Sequence, residues 1–337
     1  MKHQPFLLLA TLFMALLMGC SDTTKPTYIL DINGIHEADK NALWLTHEHV
    51  LVDFIGADSI QPETWDHDEI MQSILPYFHE IKQHNVAYFV DPTPAYLGRD
   101  VLLLRKISDI TGIRIVTNTG LYGALENKYI PSYAFDLSAE ELAEIWIDEY
   151  ENGIDQTNVR PGFIKIGIDS ADPLDPVHEK LVKAAAITHL RTGLIIASHT
   201  GKAKGLWPQL KILEDYGVSP EAFIWVHAQQ EESHENILRA AEMGIWISLD
   251  GMGWETEGHI EKIAVLKEHG FSDRILISHD AGWYDPQKEV QSIIPFTAIF
   301  DQVIPELKSR GFTEKDIRKL LTDNPARAFS IGTTTAN

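Results

Sequence analysis

The chain of 337 residues carries 28 basic and 49 acidic side chains, a net charge of −21. That excess excludes a nucleic-acid binder, which needs a basic footprint, and disfavours charge-driven docking on anionic membranes. A hydrophobic content of 44% excludes a disordered chain, and a single cysteine excludes a disulfide framework or a cysteine-based metal motif, while fifteen histidines leave imidazole ligation open.

From the N-terminus, Lys2 and His3 precede an apolar run from Phe6 to Met18. As a helix this run would span about 20 Å, short of a ~30 Å hydrocarbon core and matched to a signal-peptide h-region. It ends in Gly19-Cys20, which resembles a bacterial lipobox. The resemblance implies a signal peptide over 1–19, lipidation of Cys20 and a tether over 20–27. The expected location is the cell envelope, on the periplasmic side. Ser21 lacks the aspartate that retains such proteins at the inner membrane, which favours the outer membrane.

Residues 28–41 contain an Asn-Gly turn signal at Asn33-Gly34 and predict a small N-terminal β-hairpin. Eight short apolar runs follow, at 42–49, 86–93, 113–120, 162–169, 193–200, 223–229, 245–251 and 274–280. Between them lie helix-length segments with apolar spacings of three and four, such as 68–84, 138–153, 175–193 and 235–244. Ser138 with Glu141 forms a capping box, and Gly193 and Gly244 stand at helix C-termini. Eight strand–helix alternations predict an α/β fold, a (β/α)8 TIM barrel, as one domain over 28–337. An open doubly wound sheet is the competing arrangement. No glycine-rich phosphate loop follows the first strand to support it.

A barrel carries its chemistry at the C-terminal ends of its strands, and the unusual polar residues fall there. His47 and His49 end the first run, two residues apart and so on one side. Lys165 shares a face with Phe163 and Gly167, opposite Ile164, Ile166 and Ile168, which aims it into the barrel. His199, His227 and Asp280 end the fifth, sixth and eighth runs. Together these six residues suit a binuclear metal hydrolase. Imidazole and carboxylate suit zinc best, with manganese, cobalt or iron as alternatives. An ammonium cannot ligate a cation, but a CO2-derived carbamate on Lys165 becomes an anionic bridge between two divalent ions.

The motifs LTHEHV (45–50), GFIKIGID (162–169), SHTGKA (198–203), the His of WVHAQ (225–229), the Asp of SHD (278–280) and LTDNPARAF (321–329) make the chain resemble the phosphotriesterase family of the amidohydrolase superfamily. The resemblance runs from about 28 to 331. It implies that His47, His49 and Asp280 hold the more buried ion, that His199 and His227 hold the more exposed one, and that carboxylated Lys165 bridges them. A hydroxide between the ions would be the nucleophile, with Asp280 as proton acceptor. Glu48 and His279 point away from their neighbours and are expected to be supporting residues. Two positions depart from the phosphotriesterase pattern: Gln230 and Gly251 stand where an aspartate and a histidine relay protons. The arginine that lactonase members carry at the position of Gly251 is absent too. Tyr122, in GLYGALENKY (120–129), matches a tyrosine that lies over the metal centre in those lactonases. Trp254, Trp283 and Tyr284 are further substrate-binding candidates. The expected substrate is a small neutral lactone or carboxylic ester, with phosphotriester or amide hydrolysis as alternatives on the same centre. A surface lipoprotein that binds zinc or a ligand without turnover is the competing class. The family suggests a homodimer.

Overall fold

The structure, a computed structural model, describes residues 26–331; the expected signal peptide and Cys20 lie outside the described residues. No described helix is long and apolar enough to cross a membrane. Tyr28–Asp31 and Gly34–Glu37 form the expected antiparallel hairpin, with Gly34 at φ +121° in the turn. A strand not foreseen from the sequence, Ser330–Ile331, pairs antiparallel with Tyr28 and Ile29 and ties the two ends of the described chain together.

Eight barrel strands then follow in chain order, each parallel to its predecessor. Leu43–Leu45, Val86–Val90 and Arg114–Val116 pair first. The third strand breaks at Thr117 and resumes as Asn118–Thr119. That segment pairs on to Phe163–Gly167, Ile196–His199, Phe223–Val226, Trp246–Leu249 and Ile275–Ile277. Helices cross between strands with the expected caps. Ser138 and Glu141 make both bonds of a capping box ahead of Ala139–Asn152, and Gly193 ends Pro176–Thr192 in the left-handed conformation.

Two apolar layers hold the barrel. Leu45, Ile164, Ile166, Trp225 and Ile247 face outward and pack on the helices. Trp44, Tyr88, Phe163, Ala197, Ile224, Trp246 and Leu276 fill the interior, together with Ile29 and Phe329. Trp44 stacks on Tyr88 at 3.9 Å between ring centres, and Phe163 meets Phe329 edge-on at 5.4 Å. The hairpin and the C-terminal segment therefore plug one end of the barrel with apolar side chains. The six candidate side chains lie at the other end.

The seam between the eighth and first strands is closed by separate bonds rather than a regular ladder. Thr46 Oγ1 donates to the Ile277 carbonyl at 3.1 Å, the His47 amide to Ser278 Oγ at 2.9 Å, and the Asp280 amide to the His47 carbonyl at 3.0 Å. Glu48, fully buried, staples this seam. Its carboxylate accepts from Ser278 Oγ (2.7 Å), the His279 amide (2.9 Å), His279 Nδ1 (2.6 Å) and the Ala281 amide (3.0 Å). His279 Nε2 accepts from the Ile299 amide at 3.0 Å, so the proton shared with Glu48 sits on Nδ1. Glu48→Ala strands four buried donors and is expected to cost about 3 kcal/mol of stability. Urea unfolding monitored by circular dichroism reads this directly, and an unchanged midpoint would contradict the role.

Candidate metal centre

All six expected side chains line one cavity of about 220 Å³ at the open end of the barrel. Two of them reach it by strand alternation: Lys165 lies two residues beyond inward-facing Phe163, and His199 two beyond Ala197. Asp280 lies three residues past the end of Ile275–Ile277. His227 does not follow this pattern. Alternation from outward Trp225 would turn it toward the helices, but His227 takes φ +60°, ψ +34° and swings into the cavity. A left-handed histidine is a locally strained conformation of the kind proteins keep at functional sites. Asp280 is also left-handed, at φ +53°.

The donor atoms converge. One ligand atom each from His47, His227 and Asp280 lie within 4.8 Å of one another. His49 Nε2 is 3.0 Å, and His47 Nε2 3.5 Å, from Asp280 Oδ1. The rings of His199 and His227 are 4.3 Å apart between centres, and those of His47 and His227 5.1 Å. Lys165 is 2% exposed, and no carboxylate of the described residues lies within 4.0 Å of its Nζ.

Supporting groups orient these rings. Asp250, fully buried, accepts from His227 Nδ1 at 2.6 Å and the His227 amide at 3.2 Å, and also from Ser248 Oγ (2.7 Å) and Gln229 Nε2 (3.0 Å). Its second oxygen is 3.5 Å from His47 Nδ1. His227 is thereby fixed as the Nδ1–H tautomer, leaving Nε2 for a ligand. Tyr122 OH is 3.1 Å from His199 Nδ1, and its ring packs on Gly167, where a Cβ would come within 2.5 Å of it.

Electrostatics follow from burial and this clustering. Burial lowers the Lys165 ammonium to about 8, against the pull of Asp280 and Asp250. Burial likewise lowers His47 to about 3, and burial, His227 and Lys165 together hold His199 well below the usual histidine range. These rings keep their lone pairs at neutral pH. Burial opposes charge on His227 as well, but Asp250 outweighs it and raises the imidazole. Asp250 stays ionised: burial works against it, yet His227 and His47 hold its carboxyl well below the usual range. Asp280 is lowered against burial by its hydrogen bond to His49 and by His47 and His227.

The flanking aromatics divide. Tyr122 and Trp283 line the cavity, with Phe54, Leu97, Leu125, Pro92 and Pro94 completing its apolar wall. Trp283 meets His49 edge-on at 6.1 Å and Phe54 at 5.9 Å. Tyr284 does not reach the cavity. It follows Trp283 in a short strand paired with His49–Leu51, so alternation turns it outward, where its hydroxyl donates to Glu69 at 2.9 Å. Trp254 also lies outside the cavity wall, 57% exposed, with its indole N–H donating to the His279 carbonyl at 3.1 Å. Its contact with the site is indirect, through Trp283 at 5.9 Å. Gln230 is exposed and packs toward Gly201, away from the cavity. The space over Gly251 is taken by His259 from the following helix: a Cβ on residue 251 would lie 2.8 Å from His259 Nε2. A larger hollow of about 610 Å³ on the outer flank, lined by Trp65, Tyr96, Arg99, Tyr133 and Glu149 among others, contains no histidine.

Residues 30–329 match the profile described as the Phosphotriesterase family. An aryldialkylphosphatase of Saccharolobus solfataricus is 31% identical over 301 residues, covering 85% of this chain and 94% of its own length. An N-acetyltaurine hydrolase of Dictyostelium discoideum is 27% identical, covering 77% and 74%. Among solved structures, a mutant organophosphorus hydrolase from Deinococcus radiodurans superposes with a TM-score of 0.77 at 26% identity, covering 89% of this chain and 97% of its own.

Proposed function

Because the chain belongs to the phosphotriesterase family, we propose that it is a binuclear metal-dependent hydrolase acting on a lactone or carboxylic ester. The observation that carries this reading is the convergence of four imidazoles, one carboxylate and one buried lysine, with no carboxylate of the described residues within 4.0 Å of its Nζ, on a single cavity. The donor set fits two divalent ions, zinc best. His47, His49 and Asp280 would hold one, His199 and His227 the other. Bound there, the ions would supply a water of lowered pKa and polarise the bond to be cleaved.

The side chains do the rest. Lys165 fits the bridging position once it is a carbamate: its neutral amine adds to CO2 and releases a proton, giving an anion where an ammonium would repel the ions. Burial favours the neutral amine that this step requires. Asp280 is placed to accept the proton of the attacking water. Asp250 holds His227 in the ligand-competent tautomer. Tyr122, Trp283, Phe54 and Leu97 surround the reacting bond with apolar surface and exclude bulk water. That wall, inside a chain of net charge −21, favours an uncharged acyl or ring substrate over a strongly anionic one.

A zinc-loaded preparation should be assayed on lactones, aryl carboxylic esters, phosphotriesters and N-acyl amino acids. Lactones or esters should lead in kcat/KM by about tenfold or more, a gap of ~1.4 kcal/mol in transition-state binding. The relatives named N-acetyltaurine hydrolase support an amide reading of the same centre, and a lead by N-acyl substrates would establish it. Stoichiometric metal without turnover of any class would leave a binding protein.

A further inference from the structure

We propose that Thr93 is the positioning residue of His49 and that the buried network behind it serves to hold its hydroxyl in place. The assignment rests on the two-ion reading above. Thr93 is 1% exposed, and its Oγ1 lies 2.7 Å from His49 Nδ1. The other ring nitrogen, Nε2, faces Asp280 and the cavity. For Nε2 to offer a lone pair, the ring proton must sit on Nδ1, and the Thr93 oxygen is the acceptor placed to receive it there.

The backbone that carries this hydroxyl is held from three directions. Pro92 and Pro94 flank Thr93 and stiffen the backbone. Asp91 Oδ1 accepts from the Thr93 amide at 2.8 Å while Oδ2 accepts from the Val50 amide at 3.1 Å. One carboxylate therefore clamps Thr93 to the residue next to His49. Asn118, fully buried, gives both amide protons to this loop, to the Asp91 carbonyl at 3.1 Å and the Thr93 carbonyl at 2.9 Å. Its own Oδ1 stays buried without a partner among the described residues, a cost the fold bears to keep the amide turned toward the loop. The Asn118 carbonyl is in turn held by Arg99 at 2.9 Å, and Arg99 is locked by a bidentate pair with Glu149 at 3.0 and 2.6 Å. A chain of direct bonds thus runs from a buried ion pair to one ring of the metal centre.

This brace differs in kind from that of His227. Asp250 is an anion that also raises the basicity of its ring, whereas Thr93 is neutral and acts by orientation. Thr93→Val keeps shape and removes the acceptor; Thr93→Ser keeps the acceptor and removes a methyl.

The test is zinc titration of the metal-free full chain against a chromogenic chelator. Native protein should take two equivalents. Thr93→Val should bind one of them about 10–100-fold more weakly, while Thr93→Ser stays within about threefold of native. Should Thr93→Val fail to fold, Thr93→Ala reads the same loss. Native-like binding of both equivalents by the valine or alanine variant overturns the assignment, as does a serine variant as weak as valine, which would indicate packing. A native chain that takes up no zinc at either position overturns the two-ion reading and this assignment with it.

Discussion

Lys165→Met is expected to abolish loading of the ion pair and, in the same protein stripped of metal, to raise stability. The two effects have one cause. In the metal-free chain the ammonium is buried with no carboxylate of the described residues within 4.0 Å, and burial lowers its pKa from 10.5 to about 8. A folded pKa below the unfolded one means that the native state binds fewer protons between about 8 and 10.5. Stability of the metal-free native chain should therefore rise with pH through that window, with the full penalty standing below it. The shift corresponds to about 3 kcal/mol at neutral pH. Methionine has similar length and no charge, so the variant should melt higher than native in chelator and show no rise between pH 8 and 10. Adding zinc should reverse the order, because ligand binding stabilises only the chain that still holds both ions. Activity should fall by more than the ~10–100-fold typical of losing an outer group. Metal analysis, thermal melts over pH and kcat/KM on one sample set check all three, and full activity in Lys165→Met would falsify the bridging role.

Asp250→Asn should cost about 10²–10⁴ in kcat/KM despite leaving every ligand in place. All four hydrogen bonds to the carboxylate come from donors: His227 Nδ1, the His227 amide, Ser248 Oγ and Gln229 Nε2. An amide offers one acceptor and one donor group. With its NH2 toward His227, it drives the ring proton onto Nε2, the nitrogen a metal needs. With its oxygen there, the NH2 confronts the His227 amide and Ser248. A comparable wrong-tautomer substitution in a serine protease triad costs about 10⁴. Asp250→Glu is not a rescue here, since the pocket is fully buried. Activity and zinc content measured together separate the outcomes. Native metal content with native kcat/KM would sink the argument.

How far these residues could be read in advance depended on whether alternation held. Lys165 was legible because Phe163–Gly167 is a regular strand whose aliphatic face packs on helices, leaving the lysine nowhere but inside. His227 was placed correctly at a strand end, but its entry into the cavity depends on a left-handed backbone that no hydrophobic pattern encodes. The same rule read the other way separates Trp283 from Tyr284, adjacent aromatics in one short strand. The supporting groups were less legible. Asp250 ends the seventh run, and nothing in its spacing says that it serves His227. Thr93 carries no marker beyond its position after the second strand, because a hydroxyl gains its role from a partner 44 positions away. His259 over Gly251 is a contact between a strand end and the face of the next helix, and spacing alone does not reveal it. The strand at Ser330–Ile331 is two residues long and has no period to detect.

The zipped floor of the barrel bears on how this chain can be handled. Tyr28 and Ile331 are paired neighbours on the side opposite the histidine-lined mouth, and Ile29 and Phe329 seal the interior beneath them. An affinity tag, a bead or a surface linker joined ahead of the hairpin would thus attach behind the catalyst, with the mouth turned to the bulk solution. Joining the same linker at Leu125 or Val290, exposed positions on loops of the open end, would place it at the entrance instead. Immobilisation through the amino end is the orientation that leaves diffusion into the cavity unobstructed.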